Sequence, residues 1–161
     1  MSSMLELTSD LPEIVYPDGA ALFTEGRRHD EIVILVEGQV RITKAGVDIG
    51  SVSEPGAVLG EVGVLLDVPA TATVTAVGRC VCRRADDPHA FLHDKPAFTL
   101  AIAATLARRL DLVTGFLADL QNQYADRGDS LGVVAEVLSA LSHHRGETME
   151  PGSERVPDPP C

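Results

Sequence analysis

The chain has 161 residues, with 24 acidic against 13 basic side chains, and its formal net charge is −11 at pH 7. Such a charge repels nucleic acid and anionic lipid, and the basic pairs at residues 27–28, 83–84 and 108–109 are far apart in the sequence. With 45% hydrophobic residues, no apolar run near the roughly 18 residues of a membrane span and no signal peptide, the sequence predicts one cytoplasmic domain with appendages. We expect no direct binding to nucleic acid or membrane.

Short strands separated by turns fill the first half of the chain. Turn chemistry occurs at residues 17–19, 44–46 and 54–56, and a short strand is predicted at 49–52. An apolar run precedes Gly38 and an alternating pattern follows it, which predicts a strand, a tight turn or bulge, and another strand. Turns at this spacing are typical of an antiparallel barrel or sandwich.

A further strand follows Pro69. Threonines alternate with small apolar residues over 71–76, which predicts one polar and one apolar face. Cys80 and Cys82 project to the same face of this strand, so they cannot readily bridge, and no histidine pair completes a metal site with them. We expect both to be buried as apolar side chains.

Helical signals begin at Asp87, because aspartate caps a helix and proline suits its first turn. A short helix carrying Phe91 and Leu92 is expected to end at the Lys95-Pro96 pair, and a long helix follows from about residue 97 to residue 124.

The long helix carries an uninterrupted heptad pattern about 30 Å long. Such a seam predicts a partner helix and hence a homodimer, although one subunit could also bury the seam by itself. A second apolar flank, formed by Phe98, Ile102, Leu112 and Phe116, suits packing on the strand domain of the same chain. The seam residues are Ala103, Leu106, Leu110, Val113, Leu117, Leu120 and Tyr124.

Four segments, taken in order, resemble the cyclic nucleotide-binding domain family, of the type found in catabolite activator protein and in regulatory subunits of protein kinase A. They are PDGAALFTEG, IVILVEGQVRI, IGSVSEPGAVLGEVGVLLDVPATATVTAV and FLHDKPAFTLAIAATLARRL. The resemblance implies a mainly β fold with α, namely an antiparallel β-roll (jelly roll) flanked by a short N-terminal helix and a long C-terminal dimerisation helix.

This resemblance also divides the chain into three parts. Residues 1–97 are expected to form the β-roll with a hinge helix, residues 98–127 the long helix, and residues 128–161 a short helix followed by a disordered tail. Within the last part, residues 130–142 have an amphipathic pattern, and the proline-rich end is predicted to leave Cys161 exposed.

The resemblance places a phosphate-binding cassette at GEVGVLLDVPATATV, residues 60–74. Gly60 allows close approach of the backbone to a ligand, and N–H groups at the start of a helical turn from Val62 suit an anion. Glu61 is implied to accept a hydrogen bond from a ribose hydroxyl. The alternative is that Glu61 only stabilises the start of a helix, with no ligand.

The sequence departs from the family where an arginine grips the cyclic phosphate, because Ala70 stands there. A bidentate arginine–phosphate contact contributes about 1.5–3 kcal/mol, so binding should be about 10- to 150-fold weaker. The resemblance implies that Arg109 pairs with Glu61, unless it is simply solvated, and that Thr114 lies near the purine. The implied binding residues are Val58, Leu59, Gly60, Glu61, Val62, Ala70, Thr71, Arg109 and Thr114.

No motif of hydrolytic or metal-dependent catalysis occurs, and His89 and His93, one helical turn apart, lack a third ligand. We therefore expect a non-enzyme that requires no cofactor or metal.

Three functions remain open at the level of sequence. The favoured one is a sensor in which cAMP or cGMP, bound weakly, or another small anion shifts the long helix. The first alternative is a dimeric scaffold that has lost nucleotide affinity and binds a protein partner. The second is a transcription regulator acting through a partner, because the residues after the long helix are too few for a winged helix-turn-helix.

Overall fold

A computed structural model describes residues 3–124 and residue 137 of the chain. By its contacts the chain divides into two compact units, one ending at Leu106 and the other beginning at Ala107. The described elements are α1 (Met4–Leu7), β1 (Glu13–Tyr16), β2 (Ala21–Phe23), β3 (Ile32–Lys44), β4 (Val47–Val52), β5 (Val58–Leu59), α2 (Glu61–Leu66), β6 (Thr73–Ala85), α3 (Pro88–Asp94) and α4 (Pro96–Tyr124).

The six strands form one antiparallel sheet in the order β1-β6-β3-β4, with β2 paired to β6 and β5 paired to β3. Strands β3 and β6 have 13 residues each and pair over most of their length, from Ile32 opposite Ala85 to Thr43 opposite Thr73. The predicted mainly β architecture, with a short N-terminal helix and a long C-terminal helix, is confirmed.

Strand β3 continues through Gly38, so the bulge that the sequence allowed is found and the tight turn is not. The register against β6 shifts between Leu35 and Glu37 and again between Glu37 and Gln39, across this glycine. Gly38 has a φ of +104°, and a Cβ there would lie 2.7 Å from the carbonyl oxygen of Arg79 and 2.9 Å from Sγ of Cys80. Only glycine fits so close to the neighbouring strand.

One apolar cluster packs against β2, β3 and β6. Cys80 and Cys82 are fully buried in it, and burial raises the pKa of the Cys82 thiol to about 12. The expectation that these cysteines act as buried apolar side chains is confirmed. This first cluster consists of Leu22, Phe23, Val33, Leu35, Val40, Leu59, Ala70, Val74, Ala76, Cys80 and Cys82.

A second apolar cluster joins the opposite face of β3 to the helices. Alternation along the strand sends Val33 and Leu35 into the first cluster and Ile32 and Ile34 into the second. Partly buried residues of α1, α3 and α4 pack around this second cluster. Its buried members are Ile32, Ile34, Val58, Val64, Phe98 and Ile102.

The helix boundaries follow the predicted signals with one correction. The Asp87 side chain accepts a hydrogen bond from the Ala90 N–H at 3.1 Å and caps α3, as expected. Helix α4 begins at Pro96, one residue before the predicted start at about residue 97, because proline is well suited to the first helical position. Residues 125–127, the amphipathic segment 130–142 apart from residue 137, and the tail lie outside the described residues.

The predicted second flank of the long helix is buried only in part. Phe98 and Ile102 are 0% and 3% exposed and belong to the second cluster. Leu112 and Phe116, in the unit that begins at Ala107, are 60% and 61% exposed. Their packing on the strand domain stays a prediction.

We predict that Gly38→Ala destabilises the domain more than Gly19→Ala does. Both glycines have positive φ, but a Cβ at Gly19, where φ is +78°, would meet nothing within 4 Å. Gly19→Ala should therefore lower the free energy of unfolding by about 1–2 kcal/mol through backbone strain alone. Gly38→Ala should lose about 1–3 kcal/mol more, because its methyl group overlaps the neighbouring strand. Urea unfolding at fixed protein concentration measures both losses, and equal losses would contradict the close fit.

Candidate ligand-binding site

Strand β5 lies directly before the predicted cassette. Val58 and Leu59 pair with Ile34 and Val33 of β3 and are buried. Because the side chains alternate, Val58 enters the second cluster and Leu59 the first. The start of the cassette is therefore fixed between the two clusters.

Gly60 turns the chain from β5 into α2. Its φ is +84°, which favours glycine, and a Cβ there would lie 2.6 Å from Cζ of Phe23 and 3.1 Å from the carbonyl oxygen of Glu31. Phe23 is 4% exposed and has little room to move. Backbone conformation and packing against Phe23 therefore both require glycine at position 60, and a close approach of this turn to a ligand stays a prediction.

Glu61 opens helix α2 and is 5% exposed. Burial of a carboxylate is costly unless polar groups compensate for the lost hydration. Val62, the next residue, is half-buried, and Val64 lies in the second cluster. The helix ends at Leu66, and Asp67, where φ is +52°, is its C-cap. The assignment of Glu61 to a ribose hydroxyl, or only to the start of the helix, stays a prediction.

Ala70, at the position that the resemblance assigns to an arginine, is 6% exposed within the first cluster. Its N–H donates to the Arg27 carbonyl oxygen at 2.9 Å, and its carbonyl oxygen accepts from the Gly26 N–H at 2.8 Å. Thr71 is exposed. Leu59, just before the cassette, and Ala70, within it, pack in the same cluster, so these two parts of the chain lie close together. Alanine at position 70 provides no positive charge to this site.

The loop between β2 and β3 contacts the cassette at residues that the sequence analysis did not assign to the site. Nη1 of Arg28 lies 2.9 Å from Oδ1 of Asp67. The His29 ring lies 4.5 Å from the Phe23 ring, centre to centre, and a Cβ on Gly63 would lie 2.6 Å from Nε2 of His29. The sequence signal that could have identified this loop is the run Arg27, Arg28 and His29 in an otherwise acidic chain.

The two predicted site residues on α4 belong to the second unit. Arg109 is exposed, and its pairing with Glu61 stays a prediction. The Thr114 hydroxyl donates to the carbonyl oxygen of Leu110 at 2.8 Å. Its oxygen keeps the capacity to accept a hydrogen bond, so a purine contact through Thr114 also stays a prediction.

Other features of the described residues offer little chemistry. His89 and His93 are exposed, and within residues 3–124 no cluster of three or more His, Cys, Asp or Glu side chains is placed to hold a metal. None of the helices in the described part of the chain is long and apolar enough to cross a membrane. A cavity of about 190 Å³ is lined by Gln39, Arg41, Asp48, Gly50, Ser51 and Val77, none of which belongs to the cassette.

Comparison with known proteins identifies the fold and the family. The sequence matches the cyclic nucleotide-binding domain over residues 13–91. The CRP-like cAMP-activated global transcriptional regulator of Mycobacterium tuberculosis is 29% identical over 161 residues, which cover 96% of this chain and 69% of the relative.

Two solved structures are similar to the described fold. A structure of PKAR CBD2 bound to Sp-2Cl-cAMPS has a TM-score of 0.58 and 24% identity, covering 74% of this chain and 80% of that chain. The N-terminal domain of a transcriptional regulator from Streptomyces coelicolor A3(2) has a TM-score of 0.51 and 28% identity, covering 67% and 81% respectively. Residues 13–91 of this chain therefore form a domain of the cyclic nucleotide-binding family, folded as an antiparallel β-roll.

Proposed function

We propose that the chain is a regulatory protein, not an enzyme, which binds a cyclic nucleotide at the 60–74 cassette and transmits occupancy to α4. The observation that carries this proposal is the Gly60–Glu61 turn: a glycine at φ +84° followed by a buried glutamate, at the start of the family's cassette. The turn supports a site in which the backbone approaches the ligand closely and the Glu61 carboxylate accepts a hydrogen bond from a hydroxyl group of the ligand.

The first candidate ligand is cAMP, because the relatives include a cAMP-activated regulator and a domain bound to a cAMP analogue. cGMP and other small anions are the next candidates. With alanine at position 70, affinity is expected to be low, since the phosphate gains no guanidinium from the cassette itself.

Calorimetry with cAMP and cGMP tests the ligand, and Ala70→Arg tests the missing contact. We expect weak binding by the unmodified chain and about 10- to 150-fold tighter binding by Ala70→Arg. Ser53→Arg is the matched control, because it adds the same charge at an exposed position outside the cassette and should gain much less.

Circular dichroism must first show that Ala70→Arg folds, since residue 70 is buried. The titration of the unmodified chain decides the proposal whether or not the variant folds. Absence of heat at millimolar cAMP and cGMP would contradict cyclic nucleotide binding.

The second cluster provides a physical connection from the cassette to the long helix. Val64 of α2 is 3% exposed and belongs to the same buried cluster as Phe98 and Ile102 of α4. The Phe98 ring also meets the Phe91 ring of α3 edge-on, at 5.1 Å between ring centres. Because close-packed side chains resist compression, a displacement of α2 is expected to move the first turns of α4.

We propose that α4 pairs with α4 of a second copy through the heptad seam. Leu110, Val113 and Leu120 are 50%, 51% and 43% exposed in the single chain. The seam extends for three heptads, long enough for knobs-into-holes packing, and its exposed leucines would lose contact with water in a dimer. This supports a homodimer over burial of the seam by one subunit.

Leu110→Asp is predicted to weaken the dimer. A carboxylate buried in an apolar seam is strongly unfavourable, and the symmetric dimer would contain two of them, so the dissociation constant should rise about 100-fold or more. Leu112→Asp is the control, since Leu112 is exposed but lies outside the seam. Sedimentation equilibrium measures both variants. If both dissociate equally, or neither does, pairing through the seam is contradicted.

Val64→Ala is predicted to uncouple the ligand from the dimer. In the unmodified chain, saturating cAMP should change the dimer dissociation constant about fivefold or more, a modest allosteric coupling. Val64→Ala removes contact with the second cluster and should reduce this ratio towards one. Leu65→Ala, on the same helix at a residue that is 46% exposed, should keep the ratio. An unchanged ratio in Val64→Ala would contradict transmission through the cluster.

One observation favours the second candidate, a dimeric scaffold that has lost nucleotide affinity and binds a protein partner. Ala70 is integrated into the first apolar cluster, where its small side chain suits packing as much as ligand contact. The scaffold should dimerise without responding to cyclic nucleotides, so the titrations above separate the two candidates. A regulator of transcription that acts through a protein partner fits either one, because the net charge of −11 disfavours direct contact with DNA.

A further inference from the structure

The loop that joins β2 to β3 lies against the cassette at the position where the arginine is missing. The Ala70 N–H donates to the carbonyl oxygen of Arg27, and the Gly26 N–H donates to the carbonyl oxygen of Ala70. Gly26 has a φ of +78°, and the Arg27 N–H donates to the Thr24 carbonyl oxygen at 3.0 Å. This hydrogen-bond pattern is that of a G1 bulge, which sets Arg27 directly beside residue 70.

Two side chains attach the same loop to the cassette helix. Arg28 pairs with Asp67 at the end of α2, at 2.9 Å. The partly buried His29 ring is held between Phe23 and the Gly63 backbone, and its Nδ1 lies 3.2 Å from the Glu31 carbonyl oxygen. A loop held at several points presents its side chains from a fixed backbone, which lowers the entropy lost on binding a ligand.

The charged side chains of the loop have different roles. The Glu25 carboxylate accepts the Ala45 N–H at 2.9 Å, Arg28 is paired with Asp67, and Glu31 lies 3.8 Å from Arg84. Within the described residues, the exposed guanidinium of Arg27 has no hydrogen bond or ion pair, and the same holds for the carboxylate of Asp30. Arg27 is thus the cation of this loop that is available to an anion.

We propose that Arg27 supplies the guanidinium that position 70 lacks, so that the site takes a phosphate ester whose phosphate faces loop 26–29. For its ligand class the inference rests on the proposed function. Hydrogen-bonded neighbours across antiparallel backbone lie about 5.5 Å apart at Cα, a distance that an arginine side chain can span. The phosphate therefore binds nearer to the loop than it would with an arginine at position 70, and it is held by the planar fork of Arg27.

The test compares Arg27→Ala with Arg79→Ala, which removes the same charge from an exposed position on β6. Calorimetry with cAMP should show affinity reduced about tenfold or more by Arg27→Ala, and changed less than about twofold by Arg79→Ala. Arg27→Lys should be intermediate, because lysine keeps the charge without the bidentate fork. In the Ala70→Arg background, Arg27→Ala should cost less than it does in the unmodified chain, since one guanidinium then replaces the other.

The outcomes separate the inference from the function on which it rests. If the unmodified chain binds cAMP and Arg27→Ala behaves like Arg79→Ala, the role of Arg27 is overturned and the proposed function stands. If the unmodified chain does not bind cyclic nucleotides, the proposed function fails, and inorganic phosphate followed by amide NMR decides the inference. Shifts centred on residues 26–29 and 70–71 that vanish in Arg27→Ala support a phosphate site, and absence of such shifts overturns it.

Discussion

The burial of the first four residues of strand β3, Ile32 to Leu35, on both faces is the constraint on which the rest of the structure depends. Strands β6 and β5 pair with this segment, while its alternate side chains enter two separate apolar clusters. The two residues of β5 follow the same alternation, one into each cluster. The cassette therefore starts from a point at which the two clusters meet, which is why we propose that a change in its conformation reaches both the sheet and the helices.

The cassette has two features that suit a ligand site, a close-fitting glycine and a buried glutamate, but it has no arginine at position 70. Gly60 is fitted against Phe23, and Glu61 is withdrawn from solvent, yet position 70 has been absorbed into the apolar interior. A positive charge lies nearby, on Arg27, because the loop that carries Arg27 is hydrogen-bonded to the backbone of Ala70. The effect of alanine at position 70 on phosphate binding therefore depends also on the side chains of the adjacent loop.

Local features of the fold could be predicted from the sequence, whereas contacts between distant segments could not. Turns, the bulge at Gly38, the cap at Asp87 and the order of the cassette residues depend on patterns a few residues long. The pairing of Arg27 with Ala70 joins segments 43 positions apart, and no periodicity encodes it. Periodicity likewise shows that the long helix has an apolar flank, but it does not show what packs against that flank at Leu112 and Phe116.

The placement of Cys80 and Cys82 has a consequence for the environment in which the protein can work. Both thiols are fully buried, Cys80 donates to the Gln39 carbonyl oxygen at 2.9 Å, and the thiolate of Cys82 is disfavoured at neutral pH. Peroxides and disulfide reagents attack the thiolate and need access to it. We therefore expect these two sulfurs to react slowly with oxidants for as long as the β-roll is folded.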